Sequence, residues 1–262
     1  MADDDNPHRR GRGYRSLARD FRCALITGAS SGIGTAFAEL LPPSTHLILT
    51  GRRTERLEVV ARRLATPGRR IATITGDLAG DDARRAVIDA AERAEIDLFI
   101  SNAGAGMSGD FAAHTMAEER ASVDINIVAP VELLHALVPP MARRAQRDGS
   151  RAGVIVVASA AAYGSRAGLA VYAASKAFQL RLVEALAEEM QAQPIDILAL
   201  CPRATDTDFF ARAGLPAPPQ LLSAETVARE GLAVLGQTSV HISEAGKAPK
   251  LLRGMRALWG RR

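Results

Sequence analysis

The chain has 262 residues, of which 47% are hydrophobic, 24% charged and 4% aromatic, the make-up of an ordinary soluble domain with enough length for a full core. Its net charge of +4 is carried by the ends: residues 1–22 hold a net +2 and residues 247–262 a net +6, which leaves −4 on the body and argues against a basic nucleic-acid groove there. No apolar run is read as reaching the roughly 18 residues of a membrane span, and the Asp- and Arg-rich N-terminus is no signal peptide, so a cytoplasmic location is expected.

In chain order, residues 1–20 are polar and Gly/Arg-rich and read as a disordered lead-in. From Phe21 onward, short apolar runs alternate with helical stretches, the pattern of βαβ units around a parallel sheet. The runs are 23–26, 46–50, 70–75, 96–101, 153–159 and 195–200, with 240–242 a weaker seventh, so the expected fold is a doubly wound α/β sheet of Rossmann type with seven strands and helices on both faces. Leu57, Val60, Ala61 and Leu64 keep helical spacing over 54–65 behind Thr54 as cap, and 223–235 reads as a helix capped by Ser223. Cys23 and Cys201 both lie in apolar runs, which makes them reduced core residues and gives no reason to expect a disulfide or a metal site.

The first run leads into Thr27-Gly28-Ala29-Ser30-Ser31-Gly32-Ile33-Gly34 and then a helix. Gly28 allows a tight turn, Gly32 lets backbone approach a pyrophosphate, Gly34 lets the helix pack on the strand, and the helix N-terminus attracts phosphate. After the second run an acidic residue would accept from the ribose 2′-hydroxyl of NAD; the chain has Arg52 and Arg53 instead, and an arginine fork matches a 2′-phosphate. NADP is the inferred cofactor.

Tyr172 and Lys176 stand four apart and share a helix face in Val171-Tyr172-Ala173-Ala174-Ser175-Lys176. An ammonium about 4 Å from a phenol, at an effective dielectric near 20, favours the phenolate by roughly 4 kcal/mol. That is about three pKa units, enough to make Tyr172 a general acid/base near neutral pH.

With the glycine turn and the Tyr/Lys helix together, the chain resembles the single-domain short-chain dehydrogenase/reductase family from Phe21 to Thr207. The resemblance implies an adenine contact at Asp77-Leu78 and a ribose-side stretch at Ser101-Asn102-Ala103-Gly104, similar to the family's Asn-Asn-Ala-Gly. It implies a proton-relay asparagine at Asn126, positioning a water that joins Lys176 to solvent, and a catalytic serine at Ser159. Ser159 would polarise a carbonyl, Tyr172 would protonate the forming alkoxide, and Lys176 would also hold the nicotinamide ribose. Pro202, Thr205 and Thr207 match the family's pattern after the sixth run, whereas Arg203 stands where it usually has glycine. Arg203 must hold an ordinary φ or accept strain, and its guanidinium turns either to solvent or back toward an anion.

Phe209, Phe210 and Leu215, followed by Pro216, Pro218 and Pro219, read as a mobile apolar lid, and Met107, Tyr163, Leu169 and Phe209 favour a fairly hydrophobic substrate. In residues 250–262, Leu251, Leu252, Met255, Leu258 and Trp259 share a helical face opposite arginines; such a helix covers a protein face or lies on an anionic membrane surface, and docking on protein is the expectation. The expected organisation is thus the lead-in 1–20, a dinucleotide-binding and catalytic domain 21–246, and the basic helix 247–262. The expected activity is hydride transfer between NADP(H) and a small-molecule carbonyl or secondary alcohol. A homo-oligomer is expected from the resemblance, with Ala173, Ala174 and Ala177 suited to close helix packing. A dinucleotide-sensing protein without chemistry is the alternative, disfavoured by the intact Ser159, Tyr172 and Lys176; a sugar-nucleotide epimerase is disfavoured by the glycine spacing.

Overall fold

In the computed structural model, residues 20–243 are described, so the N-terminal lead-in, Asp20 apart, and the basic C-terminal helix lie outside the described residues. Strand β1 (Cys23–Thr27) is followed by α1 (Gly32–Leu40), β2 (His46–Gly51), α2 (Thr54–Leu64), β3 (Ile71–Thr75), α3 (Asp81–Arg93) and β4 (Leu98–Ser101). Then come α4 (Met116–Val123), one π-helical turn (Asp124–Val128), α5 (Ala129–Asp148), β5 (Ala152–Val157), α6 (Ala170–Glu189) and β6 (Ile195–Pro202). The described chain closes with β7 (Thr205–Asp206), α7 (Phe209–Arg212), β8 (Leu222–Ser223), α8 (Ala224–Val234) and β9 (Val240–Ser243).

Seven of these strands form one sheet in the order β3-β2-β1-β4-β5-β6-β9, all pairs parallel. Successive side chains on a strand face opposite ways, and both faces here are covered by helices, so the central strands are apolar at most positions on both faces. Leu25, Phe99, Val154 and Ile197 join the layer of α3, α5 and α6, while Ala24, Ile26, Leu98, Ile100, Ile155 and Leu198 join that of α1, α2 and α8. The chain leaves β1 toward one edge and returns at β4 toward the other, which opens a crevice beyond the carboxyl ends of these two strands, where ligands of such sheets bind.

Three expectations need correction. Thr54 does not cap α2: Arg53 holds the cap position and the Thr54 hydroxyl meets that of Thr75 at 3.0 Å. The helical run Met116–Asp148 is long and apolar enough, by length and composition, to cross a membrane. Its Leu133, Leu134, Leu137, Val138 and Met141 are buried in the core, so that hydropathy serves the sheet. The expected strand 153–159 ends at Val157, which leaves Ser159 beyond the strand, in the site. Ser223 does cap α8, its hydroxyl accepting from Thr226 N at 3.0 Å, and both cysteines are buried and free.

Candidate active site

The crevice floor is a hydrogen-bonded joint between the ends of β1 and β4. Thr27 Oγ1 accepts from the backbone N–H groups of Asn102 and Ala103, each at 2.9 Å. Asn102 Nδ2 donates to Thr27 O at 3.0 Å and Gly28 O at 3.2 Å, which fixes the glycine turn against the second strand. Gly28 and Gly32 adopt φ of 66° and 56°, left-handed values that favour glycine. Gly34 has another role: a Cβ there would sit 2.4 Å from Gly28 O and 2.6 Å from Asn102 Nδ2, so only hydrogen lets α1 start this close to the turn. The turn's backbone N–H groups and the α1 N-terminus therefore face the crevice, which suits a pyrophosphate.

At the end of β2, Arg53 Nη2 reaches Ser31 Oγ at 3.4 Å and Asp208 Oδ2 at 3.6 Å, while Arg52 Nη1 lies 3.7 Å from Asp77 Oδ2. Arg56 Nη1 donates to Asp208 at 2.9 Å. Asp208 is held below the usual carboxylate range, first by the Arg56 hydrogen bond and then by the charges of Arg56, Arg212 and Arg53. Arg212 of α7 faces the same group; burial, and the neighbouring Arg53, Arg52 and Arg56, lower its pKa against the pull of Asp208. This corner of the crevice is rich in guanidinium groups that would suit a phosphate monoester.

On the other side, α6 presents Tyr172 and Lys176 to the crevice, and Ser159, capping the short turn Ala160–Tyr163, lines it with them. Burial pushes the Tyr172 phenol above its ordinary value and Ser159 pulls it down. Lys176 Nζ lies 5.9 Å from the Tyr172 ring centroid and donates to Val157 O and Gln179 Oε1, each at 3.0 Å. Burial lowers Lys176 from its ordinary 10.5 to about 8.

Asn126, fully buried in the π turn, spends its side chain on Ala105, with Nδ2 donating to Ala105 O at 2.7 Å and Oδ1 accepting from Ala105 N at 3.1 Å. Its carbonyl accepts from Gln179 Nε2 at 2.6 Å. A side-chain amide, that of Gln179, thus joins Asn126 to Lys176.

These parts line one cavity of about 1180 Å³. It brings together Gly28, Ser30, Ser31, Gly32, Ile33, Arg52, Arg53, Asp77, Leu78, Asn102, Ala103, Gly104, Ser159, Tyr172, Lys176, Pro202, Thr205 and Thr207. Gly34 and Asn126 stand behind the wall and shape it. Met107, Leu169 and Phe209 line the cavity as expected, but Tyr163 does not; burial raises its pKa, with Cys201 adding to the shift. Arg203 keeps an ordinary φ and is exposed at the rim, so the strain branch of the expectation falls away. The segment read as a lid is an excursion between β7 and β8, which pair with each other and were not foreseen. Ser108 N and Oγ both donate to Ala213 O, at 3.1 and 2.7 Å, and Phe209 packs on Tyr172 with ring centroids 5.2 Å apart. Sequence reasoning passed over Arg212, Leu221 and Gln179. Arg212 and Leu221 lie in a segment with little periodicity, whereas Gln179, three residues after Lys176 on one helix face, carried a signal that spacing could have revealed.

Residues 22–215 match the family model described as short chain dehydrogenase. The oxidoreductase SERP2049 of Staphylococcus epidermidis is 29% identical over 204 residues, 75% of this chain and 86% of that protein. A short-chain dehydrogenase from Sphingobium yanoikuyae, solved in complex with NADPH, superposes with a TM-score of 0.81 at 28% identity, covering 90% of this chain and 93% of that one. The bulky-bulky ketone specific alcohol dehydrogenase from Comamonas testosteroni superposes with a TM-score of 0.77 at 26% identity over 91% and 92% of the two chains. A glycine turn pinned to the neighbouring strand and a serine sharing a cavity wall with a helical tyrosine and lysine thus occur in a chain that belongs to the short-chain dehydrogenase family, the dinucleotide-dependent oxidoreductases.

Proposed function

We propose that the protein is an NADP(H)-dependent reductase of a ketone or aldehyde on a fairly hydrophobic small molecule, acting in reverse on the secondary alcohol. The observation that carries this reading is the placing of Ser159 and Tyr172 together on the cavity wall, with Lys176 one turn along the same helix. Ser159 donates to the substrate carbonyl oxygen and draws electron density onto it; Tyr172 then gives its proton to that oxygen as the alkoxide forms. A phenol raised by burial is protonated at neutral pH, the form a proton donor needs. Lys176, as a buried ammonium, favours the phenolate left behind. The bound nicotinamide supplies the hydride in this direction and accepts it in the other.

The glycine turn and the α1 N-terminus would hold the pyrophosphate, Asp77 and Leu78 the adenine, Asn102 to Gly104 the ribose side, and Arg52 and Arg53 the 2′-phosphate. The arginine corner supports NADP over NAD, as does the NADPH bound to the similar Sphingobium enzyme. Met107, Leu169, Phe209 and Leu221 around the Tyr172 side support an apolar substrate, and the ketone named for the similar Comamonas enzyme supports substituents on both sides of the carbonyl. The test is NADPH oxidation over ketones and aldehydes of graded size, with the wild type and Tyr172→Phe. The variant should lose about 10²–10⁴ in turnover while binding NADPH within a few-fold of wild type. Retention of more than about a hundredth of the rate would refute the acid/base role of Tyr172.

A further inference from the structure

Gln179 is 2% exposed and does not line the cavity, yet both ends of its amide are used where the chemistry is held. Its Oε1 accepts from Lys176 Nζ at 3.0 Å and its Nε2 donates to Asn126 O at 2.6 Å. We propose that Gln179 is the positioning residue of Lys176, a buried amide strut anchored on the Asn126 carbonyl that holds the ammonium at a fixed place against the carbonyl of Val157 and thereby sets how strongly that ammonium acts on Tyr172. This proposal rests on the reading of Tyr172 and Lys176 given above.

The donor count supports the strut. An ammonium has three N–H groups; one goes to Val157 O and one to Gln179 Oε1, which leaves one for the cavity that Lys176 lines. A lysine has four rotatable side-chain bonds and loses rotamer freedom only where partners hold it. A neutral oxygen acceptor favours the charged form against the burial that disfavours it. The amide orientation is fixed by its partners: Lys176 can only donate and the Asn126 carbonyl can only accept, so Oε1 must face the lysine and Nε2 the carbonyl. At Asn126 the helix widens into a π turn, and the carbonyl there faces α6, so the strut joins that turn to α6. The titratable groups facing the ammonium are Tyr172 on α6 and Cys201 on β6; Asn126 and Gln179 are neutral. No acid therefore competes with Gln179 for control of the lysine among the described residues in contact with it.

The experiment reads the lysine itself. Besides Lys176 the chain has only Lys247 and Lys250, so NMR of protein labelled at the lysine ε position gives few signals, and Lys176→Arg assigns the one that matters. In cofactor-free wild type the Lys176 midpoint is expected at about 8. Gln179→Leu, which removes the acceptor at similar volume, should move it down; Gln179→Glu, which sets a carboxylate against the ammonium, should move it up by about one pH unit or more. The alkaline limb of the kcat/KM profile for carbonyl reduction should move the same way in each variant. A residue that only fills space would change the melting temperature and leave the two midpoints together. Midpoints that coincide in wild type, Gln179→Leu and Gln179→Glu, or that move in one direction in both variants, would overturn the proposal. If Gln179→Leu does not fold, the upward shift in the near-isosteric Gln179→Glu decides alone. A Tyr172→Phe enzyme that keeps its rate would remove the catalytic reading, while the lysine titration, which needs no turnover, would still judge the strut.

Discussion

Replacing Gly34 by Ala is a test of how tightly the glycine turn is built. The new Cβ would lie 2.4 Å from Gly28 O, whereas ordinary contact begins at 3.4 Å, so α1 and the turn must separate by about 1 Å. Both atoms it meets, Gly28 O and Asn102 Nδ2, are held by one another, and neither is the free end of a flexible side chain. Overpacking of this kind costs about 1–3 kcal/mol, and losing the bond from Asn102 to Gly28 adds about 0.5–1.5 kcal/mol. Against this stands the better helix propensity of Ala, at most about 1 kcal/mol and less in the first turn of α1. The steric term wins by about 0.5–4.5 kcal/mol, which for a domain of this size lowers the melting temperature by roughly 1–18 °C. Because the same turn would hold the pyrophosphate, NADPH affinity followed by fluorescence titration should also fall by about tenfold or more. Gly164→Ala is the control for stability, since nothing lies within 4 Å of a Cβ there, and it should stay within about 0.5 kcal/mol of wild type. A Gly34→Ala protein that melts at or above the wild-type temperature would show that propensity outweighs the contact and that the joint is looser than its distances.

Replacing Arg52 and Arg53 together by Ala should weaken NADPH far more than NADH, through charge-assisted bonds of about 1.5–3 kcal/mol each; equal losses in parallel titrations would remove the case for NADP. Arg84 is buried and donates to Leu78 O and Ala79 O at 2.9 Å and to Glu132 at 2.6 Å, so Arg84→Met should cost about 3 kcal/mol in urea unfolding, and a change under about 1 kcal/mol would contradict that. Glu119 raises the His114 pKa through a hydrogen bond, so this pair stabilises below the ordinary His value of 6.5 and loses its contribution as pH rises through the folded value. The stability gap between wild type and His114→Ala should therefore be larger at pH 5.5 than at about pH 8.5, and a gap that grows with pH would reverse the sign.

The fold was legible because a parallel sheet covered on both sides demands apolar strands, and these stand out against the polar helices between them. All seven expected strands needed shifts of no more than two residues at either end, the one that matters for the site being the end of 153–159, where the strand stops at Val157. Residues whose side chains meet the cavity were legible too, since glycine, arginine, serine and tyrosine each imply a chemistry. What escaped was orientation. Spacing puts Tyr172 and Lys176 on one helix face but says nothing of the carbonyl of Val157 and the amide of Gln179, which take two of the ammonium's three N–H groups. The pair β7 and β8 escaped because two-residue strands have no period to read.

The geometry also separates what binds from what holds. Thr27 touches no expected ligand, yet its hydroxyl carries two backbone N–H groups of the stretch that follows β4, and each of them, left unpaired in the interior, would cost about 1–3 kcal/mol. Asn126 does the same for Ala105 through both ends of its amide, and Gln179 for Lys176. In the first two cases a neutral polar side chain completes backbone that no ladder reaches, because the strands have ended, and in the third it holds a side chain of the wall in place. A charged group in such a place would pay for burial and impose its own field on Tyr172; a neutral one fixes position and leaves the field to Lys176. That division explains why the wall is built of Thr, Asn and Gln while the cationic groups face the cavity, and why a substitution behind the wall can alter the reaction without touching substrate.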